Sequence, residues 1–180
     1  MIKQWRLDTQ NQSLVLSSSG NRLPCVIYWG ESLPSHESPD EMIEASKKDW
    51  GDNLIDLVPE LSILPEQSAN FSGQLGSKMR DINGQLLSSS FVFHSDKVSA
   101  NSLTLIYKDK ELGLTYTAKI DSMEEHDLFA LEAKIESKNP IIMEWLSAPV
   151  IEASQNSNEI VGYGGHWGGE FRRQLSLIHI

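Results

Sequence analysis

The chain has 180 residues, of which 39% are hydrophobic and 22% are charged, and these proportions are typical of one soluble globular domain or part of one. Its 15 Lys and Arg residues against 25 Asp and Glu residues give a formal net charge of −10. This balance argues against nucleic acid or an anionic membrane surface as a partner, because both require clustered positive charge. A neutral ligand such as a sugar is compatible with an acidic surface.

Cysteine usage and hydropathy indicate the compartment. Cys25 is the one cysteine, so the sequence predicts neither an intramolecular disulfide nor a cysteine-based metal site. It adjoins the apolar residues 26–29, which is typical of a buried thiol rather than a nucleophile. The first residues lack the apolar region of a signal peptide, and no run of 18 apolar residues occurs. We therefore expect a cytoplasmic protein without a membrane span.

The first predicted elements are short strands. Residues 5–7 and 14–18 are brief apolar segments flanked by polar turn formers. Residues 23–29 form a second β arm after the Ser-Gly-Asn-Arg turn at 19–22, and this arrangement predicts a hairpin.

One helix is predicted over residues 39–50. Ser38 suits the N-cap, Pro39 suits the first helical position, and Glu41 completes a capping box. Gly51 suits the position that follows the helix C-terminus. The apolar side of this segment is thin, so we expect a short helix on the surface.

The second half of the chain carries the clear β signal. Residues 52–90 are interrupted by prolines and glycines and are predicted to be irregular. The strand candidates that follow are, in order, residues 102–107, 112–120, 128–137, 141–148 and 159–162. Two of them alternate apolar and polar residues with a period of two, the pattern of a half-buried strand. Sequential strands joined by short polar turns favour antiparallel pairing, and the predicted fold is a mostly β sandwich.

The most distinctive stretch is residues 162–173, Gly-Tyr-Gly-Gly-His-Trp-Gly-Gly-Glu-Phe-Arg-Arg, which holds five of the twelve glycines. Its glycine spacing is not that of a dinucleotide fingerprint, and no helix pattern follows it. Glycines between large rings indicate sharp turns or a close backbone approach, although a linker or bulge has the same composition. Trp167 is a candidate platform for the apolar face of a sugar, with His166 beside it. The competing interpretation of Trp167 is a core ring covered by the glycines.

No catalytic or metal-binding pattern stands out. The five histidines lack the i, i+4 spacing of a helical metal site. The acidic residues do not single out a pair for acid–base chemistry, and the serine runs at 17–19 and 88–90 lack a nucleophile-elbow context. The sequence therefore predicts no catalytic residue, no metal and no cofactor in this chain.

Several segments, in order, resemble the non-catalytic N-terminal domain of microbial α-galactosidases of glycoside hydrolase family 36. Residues 164–173 are similar to the family's Gly-x-Trp-x-x-Glu-Phe segment. Other similar segments are Trp-Arg-Leu-Asp at 5–8, the hairpin arm ending in Tyr-Trp-Gly at 23–30, Leu-Ser-Ile-Leu-Pro-Glu at 61–66, Leu-Gly-Leu-Thr-Tyr at 112–116, and Asn139-Pro140. Together they cover nearly the whole chain.

The resemblance implies an incomplete antiparallel β-supersandwich that a (β/α)₈ barrel follows in the family. That barrel carries two aspartates for retaining hydrolysis of terminal α-galactosides, and neither has a counterpart here. The resemblance also implies a homo-oligomeric parent in which this domain aids subunit assembly. One family loop, often Gly-Asp-Phe-Arg, reaches a neighbouring subunit's pocket, and the matching residues here are Ala69-Asn70-Phe71-Ser72. Asn70 is thus a candidate sugar-binding residue, although asparagine and serine replace the family's aspartate and arginine.

The domain is predicted to occupy residues 1–174. Residues 175–180, Leu-Ser-Leu-Ile-His-Ile, depart from the family and resemble the translation of a transposon adapter used in sequencing-library preparation. We therefore expect a truncated domain with an artefactual tail.

Two functions are compatible with these observations. In the first, the chain is the non-catalytic N-terminal part of a retaining α-galactosidase and contributes to barrel docking and subunit assembly. In the second, it is a free-standing carbohydrate-binding or assembly β-sandwich. The candidate sugar-binding residues are Asn70, from the family resemblance, and Trp167 with His166, from the second hypothesis.

Overall fold

The structure is a computed structural model that describes residues 2–46, 60–152 and 159–177. Within these ranges the chain is built mainly of antiparallel strands. The strands are β1 (Ile2–Asp8), β2 (Gln12–Ser19), β3 (Cys25–Glu31), β4 (Ser77–Asp81), β5 (Leu86–Leu87), β6 (Val92–Val98), β7 (Ser102–Asp109), β8 (Leu114–Met123), β9 (Leu128–Ser137), β10 (Ile141–Leu146), β11 (Glu159–Gly164) and β12 (Arg172–Leu177). One α-helix, α1 (Pro39–Ser46), and two 3-10 turns accompany them.

The strands form four antiparallel sheets. Three of these have the strand orders β1-β2-β3, β6-β7-β8-β9 and β10-β4-β5, and β11 pairs with β12 as a separate hairpin. Strand β10 reaches back across the chain to pair with β4, whereas the four-stranded sheet joins consecutive strands by short turns. This arrangement confirms the prediction of a mostly β, antiparallel sandwich.

One hydrophobic core joins the first two sheets. Strands β7 and β8 bury every second side chain, and for β8 the alternation over residues 112–120 predicts this. The buried residues of the core are Trp5, Leu7, Leu14, Leu16, Leu23, Ile63, Leu64, Met79, Phe91, Leu103, Leu105, Tyr107, Leu114, Tyr116, Ala118 and Ile120. Removing this apolar surface from water is the main force that holds the sheets together.

The hairpin and the helix lie where the sequence predicts them. Strands β2 and β3 pair with Leu14 opposite Trp29, and the register shifts between Val15 and Leu16. Helix α1 begins at Pro39, and the Ser38 hydroxyl accepts the Asp40 N–H at 3.3 Å, as an N-cap does. The predicted continuation of this helix beyond residue 46 lies outside the described residues.

The prediction of irregular structure over residues 52–90 is wrong in part, because β4 and β5 lie there. Strand β6 also has no counterpart among the predicted strands. Strand β4 buries only Met79, and β6 carries the charged pair Asp96-Lys97 just before its last residue, so neither shows strong alternation. Their pairing with distant or longer strands decides their conformation, and tertiary context overrides a weak local pattern.

Asp127 connects two turns that belong to different sheets. It follows the 3-10 turn after β8, and its carboxylate accepts hydrogen bonds from the Thr9 hydroxyl and, at 3.1 Å, from the Asn11 N–H in the β1–β2 turn. The Gln12 side chain also donates to the Asp127 carbonyl at 2.7 Å. The hydrogen bond from Thr9, followed by that from Asn11, lowers the pKa of Asp127 from its usual value of 3.8. This residue therefore ties the four-stranded sheet to the N-terminal sheet.

We predict that Asp127→Asn and Asp127→Ala both lower the midpoint of urea denaturation at pH 7. Alanine is expected to have the larger effect, because Asp127 has φ of 53° and asparagine adopts this left-handed conformation more readily. A depressed carboxyl pKa stabilises the fold above the usual value of 3.8 and loses that effect as pH falls through the folded-state value. The difference between wild type and Asp127→Asn should therefore shrink on acidification below pH about 4.

The matched control is Glu125→Gln, which changes an exposed carboxylate in the same turn. It should leave the midpoint of urea denaturation unchanged at pH 7 and below pH about 4. A control as destabilising as Asp127→Asn would mean that turn charge in general, rather than this carboxylate, holds the two sheets.

Candidate functional site

The loop between β11 and β12, residues 165–171, is shaped by its own backbone. The Gly169 N–H donates to the His166 carbonyl at 2.8 Å and closes a turn in which Gly168 has φ of 81°. A positive φ at the third position of such a turn favours glycine. A Cβ placed on Gly165 would lie 2.5 Å from the Gly169 carbonyl oxygen, so the two ends of the loop require glycine to approach this closely. Gly165 thus serves backbone-to-backbone packing within the loop, and Gly168 serves its turn.

The large side chains of this loop point into solvent. Trp167 is 96% exposed and Phe171 is 85% exposed, while Tyr163, at the end of β11, is 67% exposed. The interpretation of Trp167 as a core ring is therefore wrong. The result is a compact loop that presents aromatic surface outward.

His166 lies beside Trp167 and is held by it. In the tautomer that carries a proton on Nδ1, the His166 ring donates to the Trp167 carbonyl at 3.0 Å. The Glu170 carboxylate accepts the Gly168 N–H at 3.4 Å on the other side of the turn. His166 and Trp167 thus form one exposed surface in which a polar ring adjoins an apolar one.

Asn70 lies in a different loop, and it shares no hydrogen bond with His166 or Trp167 in the described structure. It ends the 3-10 turn Gln67–Ala69 with φ of 60° and ψ of 25°, and its N–H donates to the Gln67 carbonyl at 2.9 Å. Asparagine tolerates this left-handed conformation better than most residues, which gives its identity a local backbone reason. Its side chain is exposed, so its amide is accessible to a ligand.

Glu66, at the base of the Asn70 loop, is a buried acid that the sequence reasoning missed. It is only 9% exposed, and its Oε1 accepts the Ser89 hydroxyl and the Phe91 N–H at 3.1 Å each. Burial is the main cause that raises the pKa of Glu66 to about 7. A cavity of about 90 Å³ adjoins it, lined also by Leu75, Leu86 and Leu87. The sequence feature that could have indicated its burial is its position directly after the apolar residues 63–65.

Cys25 and the acidic residues do not form a reactive centre. Burial raises the pKa of the Cys25 thiol, and the nearby Glu60 carboxylate, whose Oε2 accepts the thiol hydrogen at 3.4 Å, raises it further. A thiol that resists ionisation is a poor nucleophile. Across residues 2–46, 60–152 and 159–177, no group of three or more His, Cys, Asp or Glu residues is placed to hold a metal ion. No helix within these ranges has the length and apolar character needed to cross a bilayer.

The family assignment follows from comparison with known sequences. The model of the glycosyl hydrolase family 36 N-terminal domain matches residues 22–179. The chain belongs to this family. The resemblance carried by the segments at 23–30, 61–66 and 164–173 is thereby confirmed. The match extends past residue 174 and β12 continues to Leu177, while the assignment of residues 175–180 to an artefactual tail stays a prediction.

Solved structures of family 36 α-galactosidases share the fold. The α-galactosidase of Lactobacillus brevis superposes with a TM-score of 0.77 at 13% identity, covering 98% of this chain and 27% of that one. A variant of α-galactosidase AgaA of Geobacillus stearothermophilus in complex with raffinose gives 0.76 at 13% identity, covering 98% and 28%. AgaB of the same organism gives 0.73 at 14% identity, covering 98% and 27%.

The chain thus spans little more than a quarter of the length of these α-galactosidase structures. At such low identity the likeness establishes the fold of the family 36 N-terminal domain alone. A search of curated proteins gave no match.

We predict that Trp167→Ala changes the free energy of unfolding by less than about 0.5 kcal/mol, because a fully exposed ring contributes little to packing. Trp5→Ala is the contrasting variant: Trp5 is 6% exposed and donates to Asp96 at 2.8 Å. Truncating a buried tryptophan should cost about 3–5 kcal/mol. Urea denaturation followed by circular dichroism measures both, and equal losses in the two variants would contradict the exposed position of Trp167.

Proposed function

We propose that this chain is the non-catalytic N-terminal part of a retaining α-galactosidase that hydrolyses terminal α-galactosides. The observation that carries the proposal is the family match over residues 22–179 together with whole-chain similarity to α-galactosidase structures. The proposed substrate reaches the parent enzyme through its barrel rather than through this domain. The proposed location is the cytoplasm, supported by a single cysteine that can form no intramolecular disulfide.

The chemistry of retaining hydrolysis supports assigning catalysis elsewhere. It requires two carboxyl groups roughly 5 Å apart that flank the anomeric carbon, one as nucleophile and one as acid and base. The most buried acids of the described chain, Glu66 and Asp109, already accept backbone N–H groups from Phe91 and Ser90. Acids engaged in this way hold the fold, so neither of these two is proposed as a member of a catalytic pair.

The proposed contribution of the domain is to dock the barrel and to assist subunit assembly. Exposed aromatic side chains that adjoin one another are typical of surfaces that another protein surface covers. Trp167, Phe171 and Tyr163 are three exposed aromatic side chains carried by the β11–β12 hairpin. In the proposed homo-oligomeric parent, the loop that bears Asn70 lies near a neighbouring subunit's substrate.

The alternative is a free-standing carbohydrate-binding or assembly sandwich. The exposed ring of Trp167 favours it, because an accessible indole face can stack on the apolar face of a sugar. His166 and Asn70 would then supply polar contacts, each from its own loop. A barrel domain encoded downstream supports the first proposal, and its absence supports this alternative.

The first proposal predicts no hydrolysis of a chromogenic α-galactoside by the purified chain. Release of the chromophore should equal that of a control preparation carrying only the expression tag, whereas an active α-galactosidase assayed in parallel should release it readily. Turnover clearly above the tag control would refute the non-catalytic assignment.

Sugar titration separates the two proposals. Under the first, galactose and raffinose leave the tryptophan fluorescence of the chain unchanged. Under the alternative, fluorescence saturates with sugar, and Trp167→Ala abolishes that response. The control is Trp29→Phe, which removes another exposed indole, 51% accessible and bonded to Gln12, while leaving the loop intact. A response lost in Trp29→Phe and kept in Trp167→Ala would contradict the assigned binding surface.

A further inference from the structure

Two buried carboxylates hold the short segment of residues 89–91. Glu66 accepts the Ser89 hydroxyl and the Phe91 N–H on the same oxygen, Oε1. Asp109, which is 5% exposed, accepts the intervening Ser90 N–H at 2.8 Å. Three successive residues at the entrance to β6 are thus fixed by two acids, and Asp109 lies close enough for its charge to raise the pKa of Glu66.

Asp109 accepts more hydrogen bonds than Glu66 does. Asp109 accepts three backbone N–H groups, because its Oδ1 also accepts those of Glu111 and Leu112 at 2.9 Å each. Glu66 accepts one backbone N–H and one hydroxyl, and no described residue donates to its Oε2. A carboxyl group with this arrangement keeps both of its contacts when Oε2 carries a proton, since Oε1 still accepts.

Glu66 also forms the base of the loop that carries Asn70. Its backbone carbonyl accepts the Ala69 N–H at 3.2 Å and the Phe71 N–H at 3.4 Å. On the other side, Phe91 packs on Tyr116 with ring centroids 5.6 Å apart. The Glu66 side chain is therefore the direct connection between this loop and the core.

We propose that Glu66 is a protonation-dependent anchor: as a neutral acid it holds the loop of residues 66–71 against Ser89 and Phe91, and loss of its proton loosens that loop. The adjacent cavity of about 90 Å³ gives the released proton a path toward solvent. The inference concerns the domain itself and does not depend on the proposed function.

Asp109 is the charged neighbour that opposes the ionisation of Glu66. Asp109, at the end of β7, places a second negative charge nearby, and the fully buried Tyr116 hydroxyl on β8 has no hydrogen-bond partner in the described chain. Lys78 of β4 lines the same cavity, but its ammonium group pairs with Glu144 at 2.8 Å. Burial, aided by Asp109, raises the pKa of Glu66 from 4.5 to about 7 despite the hydrogen bonds from Phe91 and Ser89.

The direction of the pH effect follows from this raised pKa. The folded chain binds a proton that the unfolded chain releases, so the stabilisation is fully present below pH 4.5 and is lost as pH rises through about 7. The folding equilibrium constant should fall on the order of 100-fold across this range.

The test measures the titration of Glu66 and the mobility of its loop. Carbon-13 NMR of the Glu66 carboxyl should give a midpoint near 7, and a midpoint near the ordinary value of about 4.3 overturns the proposal without any variant. Hydrogen exchange at pH 5.5 and 8.0, corrected for intrinsic rates, should show lower protection of the Ala69, Phe71 and Phe91 amides at the higher pH. Unchanged protection overturns the proposal.

Glu66→Gln supplies the matched variant, because the amide keeps the acceptor oxygen and cannot ionise. Its three amides should remain protected at both pH values, and its stability should lose the decline between pH 5.5 and 8.0. Glu125→Gln, an exposed change far along the chain, should retain the wild-type decline. A Glu66→Gln protein with the wild-type pH dependence also overturns the proposal. If this variant does not fold, the carboxyl titration of the wild-type chain decides alone.

Discussion

A chain of aromatic rings runs through the centre of the core and joins the N-terminal sheet to the four-stranded sheet, and the loop that bears Asn70 depends on it through Phe91 and Glu66. Tyr107 and Tyr116 lie opposite each other on β7 and β8. Phe93 packs edge-on against Tyr107 with centroids 5.6 Å apart, and Trp5 lies 6.3 Å beyond Phe93. These contacts connect β1, β6 and β7, while Phe91 extends the chain from Tyr116 toward Glu66. These rings thus link the N-terminal sheet, the four-stranded sheet and the segment that Glu66 holds.

The two candidate loops are positioned by different physical means. The loop bearing Asn70 is tied to the core by one buried carboxyl group, so its order depends on the charge of Glu66. The loop bearing His166 and Trp167 is shaped by contacts within itself, namely a turn hydrogen bond, close backbone contact at Gly165, and hydrogen bonds of the His166 and Glu170 side chains to the loop backbone. The first is therefore sensitive to its surroundings, whereas the second keeps its shape independently of them.

Much of the fold was predictable because β7, β8 and β9 alternate apolar and polar residues, and a period of two specifies both a strand and its buried face. Strand β4 could not be predicted from the sequence, because it pairs with the distant strand β10 and its single buried methionine gives no alternating pattern. The location of the candidate site followed from the family motif, but the exposure of Trp167 did not, because composition cannot tell a covered ring from a presented one. The burial of Glu66 was hidden for the same reason: its partners lie 23 and 25 residues away.

The contacts between the N-terminal sheet and the rest of the domain affect the order in which the domain folds. The bond from Trp5 joins residues 91 positions apart, and the bond from Thr9 to Asp127 joins residues 118 apart. Contacts of such sequence separation form late, because a long segment must close before they stabilise anything. During synthesis, the apolar face of the N-terminal sheet (β1-β2-β3) stays uncovered until β6 to β9 have left the ribosome. Until then the apolar surface of the first three strands is exposed, and such surface is prone to aggregation.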